Sequence, residues 1–240
     1  LSEEKMTGRF DGSGKMRQRE SLLISVDGAE EWLSSLEKAK ILVVSDSHGS
    51  RDILFEIVRQ FGETVSALCF CGDGVNDVLS LLCEQEKVEL SKKIPPVVAL
   101  VQGNGDSSTG SFVSDERVFV HVPVQLEFFV AQQKIFLTHG HRYNVYMGTK
   151  MLREEAQKRE AFATFYGHTH ISNAQVEKRP FLLNPGSCAL PRGGMPHTFA
   201  IVTISKNAPI EYRYFEINWG EDGEVEFKNF NPPTRFPSAT

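Results

Sequence analysis

Ile41-Leu42-Val43-Val44-Ser45-Asp46-Ser47-His48-Gly49 is a short apolar, β-branched run that breaks off abruptly into polar residues. It reads as a buried strand whose carboxyl edge carries chemistry. Ser50 or Asp52 then opens a helix that puts Ile53, Leu54, Ile57 and Val58 on one face. The same pattern repeats downstream. Ala67-Leu68-Cys69-Phe70-Cys71 runs into Gly72-Asp73-Gly74, and a helix through Val78, Leu81 and Leu82 follows, with Asn76 and Asp77 as its expected cap residues. After a charged connector from Glu84 to Lys93, Pro95-Pro96 reopens an extended segment, Val97 to Val101, that stops at Gln102-Gly103-Asn104-Gly105-Asp106. Three strands thus end in polar clusters, and open α/β sheets place their sites at the carboxyl ends of strands. Ser107 to Ser111 is small and polar and reads as a mobile loop beside that site.

Further along, the periodicity shifts toward consecutive strands: Val118 to Val122, Val124 to Val130, and Lys134 to Thr138, the last running into His139-Gly140-His141. A helix around Met147 to Glu160 intervenes before Phe162 to Tyr166 delivers Gly167-His168-Thr169-His170. Strand-like runs follow at 171–176, 181–183, 198–204 and 210–217. Alternating βαβα followed by strand meanders predicts an α/β fold in which two mixed β-sheets pack together with helices outside, an αββα sandwich in a single domain. The expected boundaries are an N-terminal extension over 1–38, a catalytic domain over 39–218 and an acidic, then Pro-rich, tail over 219–240. The extension is read as partly loose, with one short helix capped by Asp27 that carries Trp32, Leu33 and Leu36 against the body.

With 240 residues, 24% charged and 40% apolar, the chain is ordinary for a soluble domain with a full core. A net charge of -5 argues against a nucleic-acid backbone as its main partner. No stretch reaches the roughly 18 to 20 apolar residues of a membrane helix, and Leu22 to Val26 is too short for a signal-peptide core, so a cytoplasmic address is expected. Cys69, Cys71, Cys83 and Cys188 contain no Cys-x-x-Cys and read as free thiols, which fits that address. A homo-oligomer is compatible with this composition.

Seven histidines scattered at random over 240 residues would give roughly 0.2 His-x-His pairs. The chain has two, 139/141 and 168/170, both at strand ends, where i and i+2 side chains point to one side. Collecting the strand-end donors gives Asp46, His48, Asp73, Asn104, His139, His168 and His170. Oxygen and nitrogen donors without a thiolate suit borderline or harder divalent metals such as Mn, Fe or Zn. They are too many for one ion, whereas two ions sharing a carboxylate use them sensibly, with Asp73, alone on its strand end, as the natural bridge.

Taken in order, Asp-x-His, Gly-Asp, Gly-Asn, His-Gly-His and Gly-His-Thr-His resemble the calcineurin-like metallophosphoesterases across roughly residues 40 to 205. Asn184-Pro185-Gly186-Ser187 and Pro191-Arg192 narrow the resemblance to the small prokaryotic phosphodiesterase branch, which shares its fold with the retromer scaffold subunit. The resemblance implies one metal held by Asp46, His48 and His170, another by Asn104, His139 and His168, and Asp73 between them. It implies two divalent ions per chain, manganese foremost, with iron, zinc, nickel or cobalt as alternatives, and a small phosphoester as substrate.

The expected reaction is phosphodiester hydrolysis by in-line attack of a metal-bridging hydroxide. Two ions bring roughly +4, two carboxylates and the hydroxide remove about 3, and the remaining positive charge receives a phosphoryl oxygen. Many phosphomonoesterases carry a His after Gly-Asn that can protonate the leaving group; here that residue is Gly105, as in the small branch, which favours diesters or activated aryl esters. Asn104 and His141 are the catalytic candidates, His141 for proton transfer or phosphate contact or as support for a ligand. Asp106 is expected either to orient the site or to stabilise a turn. His121 and His197 are expected outside the site; Arg142 and Arg192 are expected either to meet substrate phosphate or to be solvated charges, the second being favoured. The alternatives to the phosphodiesterase are a catalytically idle binding scaffold of the same fold and a phosphomonoesterase.

Overall fold

The computed structural model describes residues 10, 14–84, 93–220 and 224–233. Strands β1 (Arg17–Gln18), β2 (Ile24–Ser25), β3 (Lys38–Val44), β4 (Ala67–Phe70) and β5 (Val97–Leu100) share one eight-stranded sheet with β13 (His197–Ser205), β14 (Glu211–Trp219) and β15 (Val225–Phe230), in the order β1-β2-β5-β4-β3-β13-β14-β15. β3, β4 and β5 run parallel, and β2 and β13 flank them antiparallel. The second sheet takes β8 (Gln125–Val130), β9 (Gln133–Thr138), β10 (Ala163–Phe165), β11 (Asn173–Gln175) and β12 (Phe181–Asn184) in the order β11-β12-β10-β9-β8, with β9, β10 and β12 parallel. Helices α1 (Ala29–Ser35), α2 (Arg51–Phe61), α3 (Val75–Cys83) and α4 (Lys150–Lys158) flank the sheets. This is the α/β single-domain architecture expected from the order of elements.

Strands buried on both faces explain the continuous apolar runs. In the second sheet Ile135, Leu137, Ala163, Phe165, Phe181 and Leu183 join the main core, whereas Phe136, Tyr166 and Leu182 face the other way, onto Val145, Leu152 and Ala156 of the α4 side. The strand period of two divides the residues between the layers. α2 has no side-chain cap at Ser50, yet it buries Leu54, Ile57 and Val58. Those three, at roughly 1.5–3 kcal/mol each, outweigh a missing cap of about 1 kcal/mol.

Four local expectations change. Thr109–Val113, whose first three residues belong to the mobile loop expected over 107–111, forms β6 and pairs with β7 (Arg117–His121) in a hairpin against α3. Gly110 permits this contact, because a Cβ there would collide with Leu79 of α3. Val225–Phe230, expected in the tail, pairs antiparallel with β14. Its reason is apolar alternation: Phe227 lies edge-on to Phe61 of α2 at 5.2 Å, beside Phe199 and Phe215. Within the N-terminal extension, β1 and β2 add to the large sheet through β5, and Leu23, Ile24 and Leu33 are buried. Finally, α4 starts at Lys150 because Gly148, at φ 120°, breaks the helical path after two 3-10 turns, His141–Tyr143 and Val145–Met147. The connector after Glu84, and expectations for 1–9, 11–13, 221–223 and 234–240, fall outside the described residues.

Candidate metal centre

Asp46, His48, Asp73, His168 and His170 all hold left-handed backbone angles, with φ of 56°, 44°, 56°, 70° and 59°. Such angles cost a non-glycine residue on the order of 1–2 kcal/mol and persist only where the surroundings enforce them. They turn the chain sharply after β3, β4 and β10, so that ligands on either side of each turn face one cleft. The turns are tied to each other across the sheets: Asp46 N–H donates to Gly72 O, His48 N–H to Asp73 O and Gly167 N–H to His139 O, each at 3.0 Å.

Two groups of donors converge, Asp46-His48-His170 and Asp46-Asp73-His139, each within 4.8 Å. Nε2 of His170 lies 3.2 Å from Nε2 of His48 and 3.2 Å from Oδ1 of Asp46. Nε2 of His139 lies 3.1 Å from Nδ1 of His168 and 3.5 Å from Oδ2 of Asp73. Asp46 is common to both groups, the position expected of Asp73. The Asp73 carboxylate also spans them, because its Oδ2 is 3.8 Å from Nε2 of His48 as well as near His139. His168 and His170, two residues apart, thus face different neighbours. Asn104 is exposed at the end of β5, between Gly103 and Gly105.

The donor set fits divalent ions. Nδ1 of His170 points to Leu190 O at 2.5 Å and Nδ1 of His139 to Cys71 O at 2.8 Å, so each donates its Nδ1–H outward and turns its Nε2 lone pair inward. Inside, each of those nitrogens meets a carboxylate oxygen and the ring nitrogen of a second imidazole, His48 beside His170 and His168 beside His139. Oδ1 of Asp46 is fully buried and has no hydrogen-bond partner. A buried anionic oxygen facing imidazole lone pairs is stabilised by a cation and by little else.

Two carboxylates outside the donor set hold its shape. Asp106 accepts from the backbone N–H of Asp73 (2.6 Å), Gly103 (2.9 Å), Gly74 (3.0 Å) and Val75 (3.0 Å), stapling the loop after β5 to the loop after β4. It thereby supplies the cap that Gly74 cannot give α3. Gly103 sits so close to Asp73 that any side chain there would displace the carboxylate. Asp77 is the second such residue. Expected as a helix cap, it is instead buried within α3 and accepts from Ser47 Oγ at 2.5 Å and Gly49 N–H at 2.9 Å, fixing the turn that carries His48. The Asn184-to-Ser187 segment acts likewise: Asn184 Nδ2 donates to Gly167 O at 2.8 Å, and Ser187 Oγ to Asp46 O at 2.7 Å.

His141 packs its ring against His139 (5.4 Å) and His168 (6.0 Å), and its Nδ1 is buried without a partner. Tyr146, which no motif singled out, lies 4.8 Å from the His168 ring and donates its hydroxyl to His168 O at 2.8 Å. His121 is exposed on the hairpin and His197 packs on Trp219, both away from these contacts. Cys69, Cys71 and Cys188 are buried free thiols.

Residues 39–207 match the family described as the calcineurin-like phosphoesterase superfamily domain. The chain belongs to this superfamily. The probable metallophosphoesterase YsnB of Bacillus subtilis is 28% identical over 170 residues, covering 70% of this chain and 86% of YsnB. Phosphodiesterase YfcE of Escherichia coli K12 is 28% identical over 172 residues, covering 68% of this chain and 86% of YfcE. These relatives place the chain in the small prokaryotic branch of the superfamily. The structure of vacuolar protein sorting 29 from Cryptosporidium parvum superposes with a TM-score of 0.57 at 19% identity, over 80% of this chain and 98% of that one, a likeness of fold.

Charge in the cleft is set by these contacts. Burial alone would push the Asp73 carboxyl up, but the His139 hydrogen bond, the Gly105 N–H and the fields of His139 and His48 outweigh it and hold the group well below the usual carboxylate range. Burial alone would lower His139; its hydrogen bond to Asp73, the charges of Asp46 and Asp73, and the Cys71 carbonyl raise it. His168 is brought down to about 4 by burial and by His139. Metal binding needs neutral imidazoles, so the proton on His139 must leave when a cation enters. The affinity is therefore full above the raised His139 value and is lost as pH falls through it. Manganese titrations followed calorimetrically should show affinity declining from above the ordinary histidine value of about 6.5, by up to about tenfold per pH unit. His168 adds no further loss until pH nears 4. Constant affinity from pH 8 to 5 would contradict this assignment.

Proposed function

We propose that this phosphoesterase is a dinuclear, metal-dependent phosphodiesterase acting on a small phosphoester. The observation that carries the reading is the pair of converging donor groups around the buried, unpartnered Oδ1 of Asp46. Asp46, His48 and His170 would hold one ion and Asn104, His139 and His168 the other, with Asp73 shared. When bound, two such ions polarise phosphoryl oxygens, acidify water and neutralise charge on the departing oxygen. The chain's own residues do the rest. Leu190 O and Cys71 O orient the two imidazoles that they accept from, and Asp106 holds the Asp73 turn. His141 stays neutral at neutral pH, because burial, then His139 and Arg142, lower its pKa, and it presents an unpartnered Nδ1 within the site. Gly105 N–H is engaged by Asp73 at 2.8 Å, and Gly105 offers no side chain to a leaving group. That absence supports esters whose leaving groups need little protonation, hence diesters and aryl esters over alkyl monoesters. Manganese in a reducing cytosol is the setting that the donor set and the free thiols support.

The test is a panel of phosphodiesters and phosphomonoesters run on protein of measured metal content. About two manganese ions per chain are expected, together with turnover of bis(p-nitrophenyl) phosphate in excess of p-nitrophenyl phosphate. Metal-replete protein that hydrolyses no member of the panel would assign the chain to the scaffold reading, and preference for monoesters would assign it to the monoesterases.

A further inference from the structure

One side of the cleft carries side chains that lie outside the donor set. Arg192 donates from Nη1 to the Tyr146 hydroxyl and lies over the Tyr146 ring at 5.9 Å. Expected either to meet substrate phosphate or to be a solvated charge, it has no carboxylate partner among the described residues. Its backbone is pinned to the metal centre: Arg192 N–H donates to His170 O at 3.2 Å, and Leu190, two residues earlier, accepts from Nδ1 of His170. Ser187 Oγ, itself bound to Asp46 O, accepts from Ala189 and Leu190 N–H at 3.1 and 2.7 Å. Large apolar side chains stand exposed on the same segments, Tyr146 at 50%, Met147 at 84% and Leu190 at 53%. Water is a poor environment for that cluster, and a guanidinium without a carboxylate suits a phosphoryl oxygen.

We propose that Arg192 and Tyr146 form the substrate-binding rim of this centre. Arg192 takes a non-bridging phosphoryl oxygen, and the Tyr146 ring, continued by Met147 and Leu190, takes an aromatic substituent of the ester. The substrate class is therefore an aryl or other flat, ring-bearing phosphodiester. The proposal rests on the phosphodiesterase reading. The prepositioned loop lowers the ordering cost of recognition, so the rim acts mainly on binding.

The experiment compares p-nitrophenyl phenyl phosphate with p-nitrophenyl methyl phosphate on the manganese-loaded chain, since both release the same leaving group. Wild type is expected to favour the phenyl ester by about tenfold in kcat/KM. Arg192→Ala should raise KM for both esters by about tenfold with kcat little changed. Tyr146→Leu should erase most of the phenyl preference, lowering kcat/KM for the phenyl ester by about tenfold more than for the methyl ester. A second readout is independent of turnover: calorimetric binding of phenyl phosphate and methyl phosphate, weakened equally by Arg192→Ala and more for phenyl phosphate than for methyl phosphate by Tyr146→Leu. Metal content and thermal midpoint confirm that each variant is folded. Normal KM in Arg192→Ala, or an unchanged phenyl-to-methyl ratio in Tyr146→Leu, overturns the rim. If wild type hydrolyses neither ester yet the binding pattern holds, the phosphodiesterase reading fails and the rim stands as a phosphate-ester binding site.

Discussion

Asp73→Asn should lower kcat/KM of the manganese-loaded protein by about a thousandfold or more, roughly 4 kcal/mol of lost transition-state stabilisation, while the fold survives. The two halves of that expectation have separate causes. Survival follows because the asparagine carbonyl can still accept from Gly105 N–H, the bond that Oδ1 of Asp73 makes at 2.8 Å, and because the turn is held through the Asp73 backbone by Asp106. Loss follows because an amide brings no charge to a position 3.5 Å from His139 and 3.8 Å from His48. The shared ion position then has one fewer anion, and the raised His139 pKa relaxes, since much of what raises it is the Asp73 hydrogen bond and charge. Steady-state kinetics alongside metal analysis check both halves. Near-normal turnover in Asp73→Asn would remove Asp73 from the centre, and an unfolded variant would show that its charge serves the fold.

Asp106→Ala is expected to destabilise the chain by about 3 kcal/mol, as much as a large truncation in the core. Four backbone N–H groups, of Asp73, Gly74, Val75 and Gly103, lose their acceptor at once. Two of them open α3, whose own N-cap is a glycine without a side-chain bond. Hydrogen bonds to a carboxylate are worth more than neutral ones, and a dipole-facing anion at a helix start adds to them. The sum is less than additive because water reaches part of the loop. Urea unfolding of the metal-free chain measures the loss, and the same variant should bind manganese more weakly, because the loops that carry Asp73 and Asn104 come apart. A change under about 0.5 kcal/mol, the range of ordinary surface substitutions, would reduce Asp106 to a turn residue.

Chain order alone made much of the fold legible. Apolar β-branched runs ending at Asp46, Asp73 and Asn104, each joined to the next by a helix, specify parallel strands with their polar ends on one edge. What escaped was whatever depends on a neighbour distant in sequence. Val225 to Phe230 carries a strand alternation inside an acidic and Pro-rich stretch, and only packing of Phe227 on Phe61 gives it a partner. Thr109 to Val113 looks like a loop by composition, but Gly110 fits against Leu79 and the hairpin forms on α3.

The site divides in the same way. Residue types and their spacing pointed to Asp46, His48, Asp73, His139 and His170, which the fold brings together, because two His-x-His pairs and lone carboxylates at strand ends leave few other uses for those side chains. Sequence alone could not say how those donors are aimed, since aiming is done by backbone carbonyls and by carboxylates that make no motif. Leu190 O and Cys71 O set two imidazole tautomers, and Asp77 and Asp106 fix the turns of His48 and Asp73. Nor does spacing reveal that Tyr146 and Arg192, 46 residues apart, meet where the 3-10 turn after β9 and the loop before β13 come together. A carbonyl belongs to every residue and a rim to no single segment, so the donors were legible in one dimension and their orientation was decided in three.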